Sequence, residues 1–215
     1  MYKETTKRIL SSLVLIPLAL FFILKGSFFF NFFLFICFFV TAYEWYQMTK
    51  SKKYCFFGII FLVVSFYSVY LLRNDSQNYG ILIFLLISLT CVSTDIGGYI
   101  FGNFFKGPKL TKISPNKTYS GMFGGFFLSI ICNIIFIEYS YLFSGTKIIF
   151  TSKIFILIIL ISLVSQFGDL TISYFKRLSK IKNTGKIIPG HGGLLDRIDG
   201  MIFAFPFSFF LLKIL

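Results

Sequence analysis

The chain has 215 residues, of which 56% are hydrophobic and 21% aromatic, while only 13% are charged. Soluble domains carry about a quarter charged residues, so this composition excludes an ordinary water-soluble domain and indicates a polytopic membrane protein. The net charge is +13. Because the cations lie between apolar runs, membrane topology, anionic lipid head groups or a phosphorylated substrate account for them better than nucleic acid.

Charge-poor runs along the chain predict the membrane spans, because a transmembrane helix needs about 20 mainly apolar residues. The runs are continuous rather than alternating, which disfavours a β-barrel. We therefore predict an all-α protein with one integral membrane domain over 1–215 and about seven transmembrane helices. The predicted spans lie near 9–24, 26–43, 54–72, 76–105, 118–137, 148–177 and 199–214, with cytoplasmic loops at 106–117 and 178–198.

The distribution of lysine and arginine predicts the orientation. A cytoplasmic N-terminus puts most of the 21 cationic residues on the cytoplasmic side, as membrane proteins prefer. Both polar loops then lie on that side. The four cysteines form no CxxC pair and there is one histidine, so neither a zinc site nor a disulfide framework is expected.

The stretch from Ser173 to Gly200 is polar in an otherwise apolar sequence. Five polar residues in this stretch and just before it are spaced by three or four positions. On a helix, such spacing would put them on one face, which would then carry a carboxylate, a hydroxyl and three cations. Such a face suits a metal ion and phosphates together. The alternative is a basic loop that only fixes membrane orientation. The residues of this face are Asp169, Ser173, Lys176, Arg177 and Lys180.

Glycines surround the single histidine, His191. Gly190, Gly192 and Gly193 allow positive φ and a close approach of backbone N–H groups to a phosphate. His191 could donate a hydrogen bond or a proton to that phosphate. The alternative is a surface histidine that makes an ordinary hydrogen bond.

Half of the eight acidic residues are predicted at the cytoplasmic ends of spans. Four carboxylates beside cationic loops resemble a Mg²⁺ site for a phosphate substrate. The alternatives are an interfacial Asp95 and a structural ion pair of Arg197 with a neighbouring acid. The four acids are Asp95, Asp169, Asp196 and Asp199.

Three further features have simpler interpretations. The GxxxG pairs at 98–102 and 121–125 predict close helix packing. Glu44 and Trp45, at the end of the second run, predict an interfacial anchor. The proline-containing loop at 106–121 offers Ser114, Lys117 and Thr118 to an anion, although a solvated positive loop would look similar.

The polar stretch resembles the signature of the phosphatidate cytidylyltransferase (CDP-diacylglycerol synthase) family, which reads S-x-x-K-R-x4-K-D, then a short spacer, and then G-H-G-G-x-x-D-R-x-D. Stretches at 95–97 (D-x-G), 113–118 (I-S-P-x-K-T) and 168–170 (G-D-L) resemble further parts of that family. The resemblance covers the second half of the chain best. The matching signature residues are Ser173, Lys176, Arg177, Lys182, Gly190, His191, Gly192, Gly193, Asp196, Arg197 and Asp199.

The resemblance implies a nucleotidyltransferase of phospholipid biosynthesis that makes CDP-diacylglycerol and pyrophosphate from CTP and phosphatidic acid. It implies Mg²⁺ as cofactor and the bacterial inner membrane as location, with the active site at the cytoplasmic ends of the C-terminal spans. Nucleic acid is not expected as a partner, and the choice between monomer and homodimer stays open.

The resemblance also implies roles for individual residues. Asp169 and Asp196 are the expected metal ligands. They are also expected catalytic groups, together with Asp199, Lys176, Arg177 and His191. Substrate contacts are expected from Ser173, Lys182, Gly190, Gly192, Gly193, Arg197, Ser114, Lys117, Thr118 and Asp95.

Three positions depart from the family pattern, and each replaces a carboxylate. Asn183 follows the signature lysine where Asp is usual, Ile172 precedes the signature serine where Glu is usual, and Ser120 stands for Glu in the earlier loop. If those carboxylates bind metal or act as a base, activity would be lowered, which motivates a non-catalytic scaffold as one alternative function. The alternatives are a CTP-dependent enzyme acting on another lipid phosphate, a lipid kinase, a non-catalytic scaffold, and a transporter or channel.

Overall fold

The computed structural model of the chain describes residues 2–75, 79–111, 113–190 and 192–214. Within these ranges the regular secondary structure is helical, and two isolated β-bridges are the only strand-like pairings. The helices are α1 (Tyr2–Lys25), α2 (Ser27–Thr49), α3 (Cys55–Arg73), α4 (Gly80–Phe105), α5 (Tyr119–Glu138), α6 (Tyr141–Ser144), α7 (Ser152–Leu178), α8 (Leu195–Ile198) and α9 (Met201–Ile214).

Five helices, α2 to α5 and α7, are long and apolar enough to cross a membrane. Two shorter apolar segments, Leu13–Lys25 and Met201–Lys213, lie in α1 and α9. A helix satisfies its own backbone hydrogen bonds, which the lipid interior cannot do, so apolar runs of this length fold as helices. The all-α prediction is confirmed, and each predicted run overlaps a helix of the structure.

Two of the differences between the helix ends and the predicted ends concern residues with a predicted role. The second run was expected to end at residue 43, but α2 continues through Glu44 and Trp45 to Thr49. The prediction that Lys180 lies on the same helix face as Asp169 is wrong, because α7 ends at Leu178 and Lys180 has φ 55°. A non-glycine residue rarely takes a left-handed conformation inside a helix, so Lys180 belongs to the following loop.

The chain divides into two compact units. The first unit comprises Met1–Tyr70 with Phe175–Ile198, and the second comprises Leu71–Tyr174 with Asp199–Leu215.

Aromatic contacts hold the first unit together. Phe22 of α1 stacks on Phe33 of α2 with ring centroids 5.3 Å apart. The Trp45 ring lies at the centre of a second cluster, where it meets Phe175 edge to face at 5.1 Å. Its indole Nε1 donates to the Cys55 carbonyl at 3.0 Å, which fixes the start of α3 against the end of α2. Such edge-to-face and stacked rings add to the burial of apolar area.

Glycine packing joins α4 to α5 in the second unit. A Cβ on Gly97 would collide with the Gly124 carbonyl, and one on Gly121 would lie 2.7 Å from the Gly98 carbonyl. The backbones therefore approach as closely as small residues allow. This confirms the packing interpretation of the GxxxG pairs.

Buried hydroxyl and amide groups connect α4 to α7 and add a polar contact between α4 and α5. The Thr94 hydroxyl donates to Ser162 Oγ of α7 at 2.7 Å, and the Asn133 amide donates to Thr90 Oγ1 at 3.0 Å. All four side chains are fully or almost fully buried. Interhelical hydrogen bonds of this kind are typical of helices that meet inside a membrane.

Candidate active site

A polar cavity of about 300 Å³ lies in the second unit. Its walls come from α4, the loop between α4 and α5, the start of α5, and α7. Two carboxylates, one ammonium and several hydroxyl and amide groups face it, although the helices around it are apolar. The residues that line it include Asp95, Ser114, Asn116, Lys117, Thr118, Gln166 and Asp169. We call it the acidic cavity.

Asp169 and Lys117 form an ion pair at the wall of the acidic cavity. Their side chains are 24% and 27% exposed, so the pair is accessible from the cavity but is partly shielded from solvent. The Ser173 hydroxyl, one turn along α7, donates to Asp169 Oδ1 at 3.3 Å. The carboxylate predicted to bind metal thus already has a cation and a hydroxyl beside it.

The loop between α4 and α5 has a defined shape. Leu110 N–H donates to the Lys117 carbonyl at 2.8 Å, and Lys117 N–H donates to the Ser114 carbonyl at 3.0 Å. Thr118 then caps α5, since its hydroxyl accepts from Gly121 N–H at 3.1 Å. These bonds direct Ser114, Lys117 and Thr118 toward one cavity and satisfy backbone groups at the start of the helix.

The glycine motif lies in the first unit, in the loop of residues 179–194. Ile188 and Gly192 exchange two backbone hydrogen bonds of 2.9 and 3.1 Å, which closes a tight turn. Gly190 and Gly192 have φ of 76° and 95°, a region that glycine adopts without strain. The positive φ expected from the motif is confirmed at these two positions. His191, the residue at the tip of the motif, lies outside the described residues.

Asp196 is surrounded by donors. Lys176 Nζ lies 2.8 Å from its Oδ1, and its Oδ2 accepts from Thr184 N–H at 2.8 Å and from Gly193 N–H at 3.1 Å. The Lys176 and Asp196 side chains are only 12% and 8% exposed. A carboxylate with this many partners organises the loop around it.

Glu44 corrects the expectation from the sequence. An interfacial anchor should be solvated at one end, but Glu44 is 2% exposed and Trp45 is 4% exposed. The Glu44 carboxylate accepts hydrogen bonds from Thr184 Oγ1, Leu194 N–H and Leu195 N–H, at 3.2, 3.0 and 2.8 Å. The sequence did contain a signal for this role, because burying a carboxylate at the end of an apolar run costs free energy and usually indicates a function.

The remaining predicted site residues are divided between the two units. Asp199 of the second unit is 6% exposed, and its Oδ1 accepts from Gly200 N–H at 2.9 Å. In the first unit, three of the predicted site cations, Arg177, Lys182 and Arg197, are exposed. The joint binding of a metal ion by Asp169 and Asp196 stays a prediction.

The three departures from the family pattern have different surroundings. Ile172 is 2% exposed and lies in the core of the second unit. Ser120 Oγ lies 2.9 Å from Thr118 Oγ1 and also contacts the Lys106 carbonyl. Asn183 lies against the glycine turn, since a Cβ on Gly192 would be 3.3 Å from the Asn183 Cβ.

The oxygen-rich lining of the acidic cavity fits a hard cation such as Mg²⁺. Within the described ranges, no three Asp, Glu, His or Cys side chains converge as a complete metal cage. Mg²⁺ rarely needs one, because it is usually bound by one or two carboxylates together with substrate phosphates and water. Asp95 and Asp169 supply carboxylates to this one cavity.

The fold and the cavity define an integral membrane protein whose polar site is suited to a phosphorylated substrate. The chain belongs to the cytidylyltransferase family, whose sequence model matches residues 6–75 and 54–215.

Bacterial members of this family are similar in sequence to most of the chain. It is 36% identical over 211 residues to the phosphatidate cytidylyltransferase of Rickettsia felis, which covers 95% of this chain and 90% of the relative. The enzyme of the same name from Rickettsia prowazekii is 38% identical over 177 residues, covering 77% of this chain and 73% of the relative. The one from Staphylococcus haemolyticus is 36% identical over 160 residues, covering 73% and 57%.

Proposed function

We propose that this chain carries out the phosphatidate cytidylyltransferase reaction at the acidic cavity. The protein is a nucleotidyltransferase of phospholipid biosynthesis that converts CTP and phosphatidic acid into CDP-diacylglycerol and pyrophosphate. One observation supports placing the reaction at this cavity, namely that five predicted site residues line it. They are Asp95, Ser114, Lys117, Thr118 and Asp169. Each of them matches a stretch of the family pattern.

The reaction requires positioning and charge stabilisation rather than a covalent enzyme intermediate. A phosphate oxygen of the lipid attacks the α-phosphorus of CTP, a new P–O bond forms, and the bond to the β-phosphate oxygen breaks. Pyrophosphate leaves with the electron pair of that bond. Negative charge builds on phosphate oxygens throughout, so donors and cations fixed around them lower the barrier.

The residues of the cavity suit these tasks. Lys117 is close enough to Asp169 to pair with it, and its ammonium can move to a phosphate oxygen when substrate enters. Ser114 and Thr118 provide hydroxyl donors from the same loop. Lipid can reach a membrane protein laterally, with its acyl chains kept among apolar helices.

We further propose Mg²⁺ as the cofactor, held by Asp169 and Asp196. When bound, it would neutralise charge on the phosphates of CTP. Asp169 supports this assignment by its position in the cavity wall, and Asp95 offers a second carboxylate there. His191 is proposed to donate to a phosphate, and Asp199, Lys176 and Arg177 to complete the catalytic set. Lys182, Arg197 and the glycine turn would hold phosphates.

The membrane arrangement we propose has seven spans with a cytoplasmic N-terminus in the bacterial inner membrane. The five long helices and the two shorter apolar segments support this number. The cation distribution supports the orientation. A homodimer remains the alternative to a monomer, and native mass spectrometry of the purified protein distinguishes them.

One assay tests the proposed reaction. Purified protein is supplied with phosphatidic acid and Mg²⁺, together with either CTP or ATP, and both pyrophosphate and the lipid product are measured. CDP-diacylglycerol should form with CTP, and turnover with ATP should be much lower. Equal use of ATP with a phosphorylated lipid product would indicate a lipid kinase. Absence of any lipid product would indicate a scaffold or a transporter.

A further inference from the structure

Glu44 is a buried carboxylate whose partners all come from the distant glycine loop. It lies on α2, and its three donors belong to residues 140 to 151 positions later in the chain. All three are uncharged groups, a hydroxyl and two backbone N–H groups. A carboxylate is withdrawn from water at this cost only where its hydrogen bonds compensate for the lost solvation.

Thr184 connects Glu44 to Asp196. Its hydroxyl contacts Glu44 Oε2, whereas its backbone N–H donates to Asp196 Oδ2 at 2.8 Å. The backbone N–H groups of three consecutive residues are likewise divided between the Glu44 and Asp196 carboxylates. Gly193 N–H donates to Asp196, while Leu194 and Leu195 N–H donate to Glu44. Two carboxylates thus fix both ends of the segment that contains the glycine turn.

Two glycines of this loop lie directly against Glu44. A Cβ on Gly185 would lie 2.5 Å from Glu44 Oε1, whereas a Cβ on Gly193 would collide first with Thr184 Oγ1 and would lie 2.5 Å from Glu44 Oε2. Neither glycine is among those with positive φ. The signature glycine at 193 is therefore explained by the close approach of the hydrogen-bonded Thr184 hydroxyl and Glu44 carboxylate to the backbone, rather than by a left-handed turn.

We infer that Glu44 is a positioning residue, which fixes the 184–196 segment and through it the Lys176–Asp196 pair. Both of its oxygens accept hydrogen bonds from the loop, and the side chain is 2% exposed, so it is not itself a substrate contact. The inference rests on the proposed function only for its consequence in catalysis. The structural part of the inference, that Glu44 fixes the loop, does not depend on the proposed function.

Hydrogen exchange tests the structural part directly. In Glu44→Gln the side chain keeps its shape, but one terminal oxygen becomes an NH₂ group that donates instead of accepting. Amides of the peptide covering 193–196 should exchange at least about tenfold faster than in the unaltered chain, because a buried hydrogen bond is lost. Peptides from α4 and α5 should be unchanged. Unchanged exchange at 193–196 would overturn the inference.

A matched substitution controls for the loss of a carboxylate in general. Glu138 is also a glutamate, but it pairs with Lys147 at the surface, where the two side chains are 67% and 50% exposed. Glu138→Gln should leave both the exchange pattern and the turnover unchanged. If Glu44→Gln does not yield folded protein, Thr184→Val is the second variant. It removes one of the three hydrogen bonds with little change of shape and should accelerate exchange in the same peptide, and failure to do so would also overturn the inference.

A pair of small substitutions separates positioning from general destabilisation. Gly185→Ala should accelerate exchange and lower kcat, because its methyl group meets the Glu44 carboxylate. In a Glu44→Ala background that space is empty, so adding Gly185→Ala should change either quantity by less than about twofold. Fully additive effects would overturn the inference.

Activity then tests the link to catalysis. For Glu44→Gln we expect kcat per folded molecule to fall about 10- to 100-fold while both KM values change little, as expected for misplaced groups. An unchanged kcat with accelerated exchange would overturn the catalytic role. A parent chain that makes no CDP-lipid would contradict the proposed function instead, and the exchange result would still stand.

Discussion

The Lys176 ammonium lies 2.8 Å from Asp196 Oδ1, in a pair whose side chains are 12% and 8% exposed. Both residues match the family signature, and both were expected to contact phosphate or metal. Here each neutralises the other within the first unit. Substrate or metal would therefore have to compete with an existing, poorly solvated ion pair.

Breaking this pair should be costly. Lys176→Met leaves the Asp196 carboxylate almost buried with only two backbone donors, and we expect it to lower the free energy of unfolding by about 3 kcal/mol or more. Thermal unfolding in one detergent measures the change. Lys147→Met is the matched control, because it breaks the exposed pair with Glu138, which is worth at most about 1 kcal/mol. If both variants lost the same free energy of unfolding, burial of the Lys176–Asp196 pair would contribute nothing to stability.

Lys117 should affect both substrate affinity and turnover. Its ammonium is the cation at the wall of the acidic cavity, so Lys117→Ala should raise the KM for CTP and lower kcat, together about 100-fold in kcat/KM. Lys117→Arg should restore little, because a planar guanidinium does not replace a compact ammonium at a fitted site. Steady-state kinetics with varied CTP measures both effects.

The control for Lys117 comes from the same loop. Lys109 is exposed and does not line the cavity. Lys109→Ala should keep kcat/KM within about twofold, since an exposed charge is largely screened by salt. If the two alanine variants behaved alike, the loss would reflect the overall charge of the loop rather than a specific contact.

The sequence predicted the helices well, because apolar length alone determines where a span can form. Through the family pattern it predicted five residues of the acidic cavity, but it did not predict Asn116 or Gln166; the five are Asp95, Ser114, Lys117, Thr118 and Asp169. It did not predict the role of Glu44, whose partners lie 140 to 151 residues away in the chain, and no periodicity encodes such contacts. It also placed Lys180 on a helix, because three- and four-residue spacing continues beyond the point where the helix ends.

Adjacent glycines in α4 offer a test of the packing between α4 and α5. A methyl group at Gly97 would collide with the Gly124 carbonyl, whereas one at Gly98 would meet its nearest atom, the Gly121 carbonyl, at 3.7 Å. Gly97→Ala should therefore destabilise the protein by about 1 to 3 kcal/mol, and Gly98→Ala by much less. Comparison of their unfolding temperatures checks this, and equal temperatures would contradict the packing.

Membrane orientation can be tested by chemical labelling. The four native cysteines are first replaced by serine, and a single cysteine is then placed at Ser179 or Asn116. Both positions belong to loops predicted to be cytoplasmic, so a membrane-impermeant maleimide should label them in inside-out vesicles but not in intact cells. Labelling of either position from the outside would overturn the proposed topology.

The proposed metal ligands predict a specific pattern of losses. Asparagine keeps the shape of aspartate but lacks the charge that binds a hard cation, so Asp169→Asn and Asp196→Asn should each reduce kcat about 100- to 1,000-fold. If both residues hold one ion, the double variant should be little worse than either single variant. Asp196→Asn also weakens the Lys176 pair, so kcat must be expressed per folded molecule.

The control and the contradicting result for the metal prediction use the same assay. Asp75 is exposed and outside both parts of the candidate site, and Asp75→Asn should be nearly neutral. Chelation with EDTA should abolish turnover, and added Mg²⁺ should restore it. If Asp196→Asn kept most of its activity at saturating Mg²⁺ while Asp169→Asn did not, the ion would belong to Asp169 without Asp196. Asp95, which lines the same cavity as Asp169, would then be the next carboxylate to change.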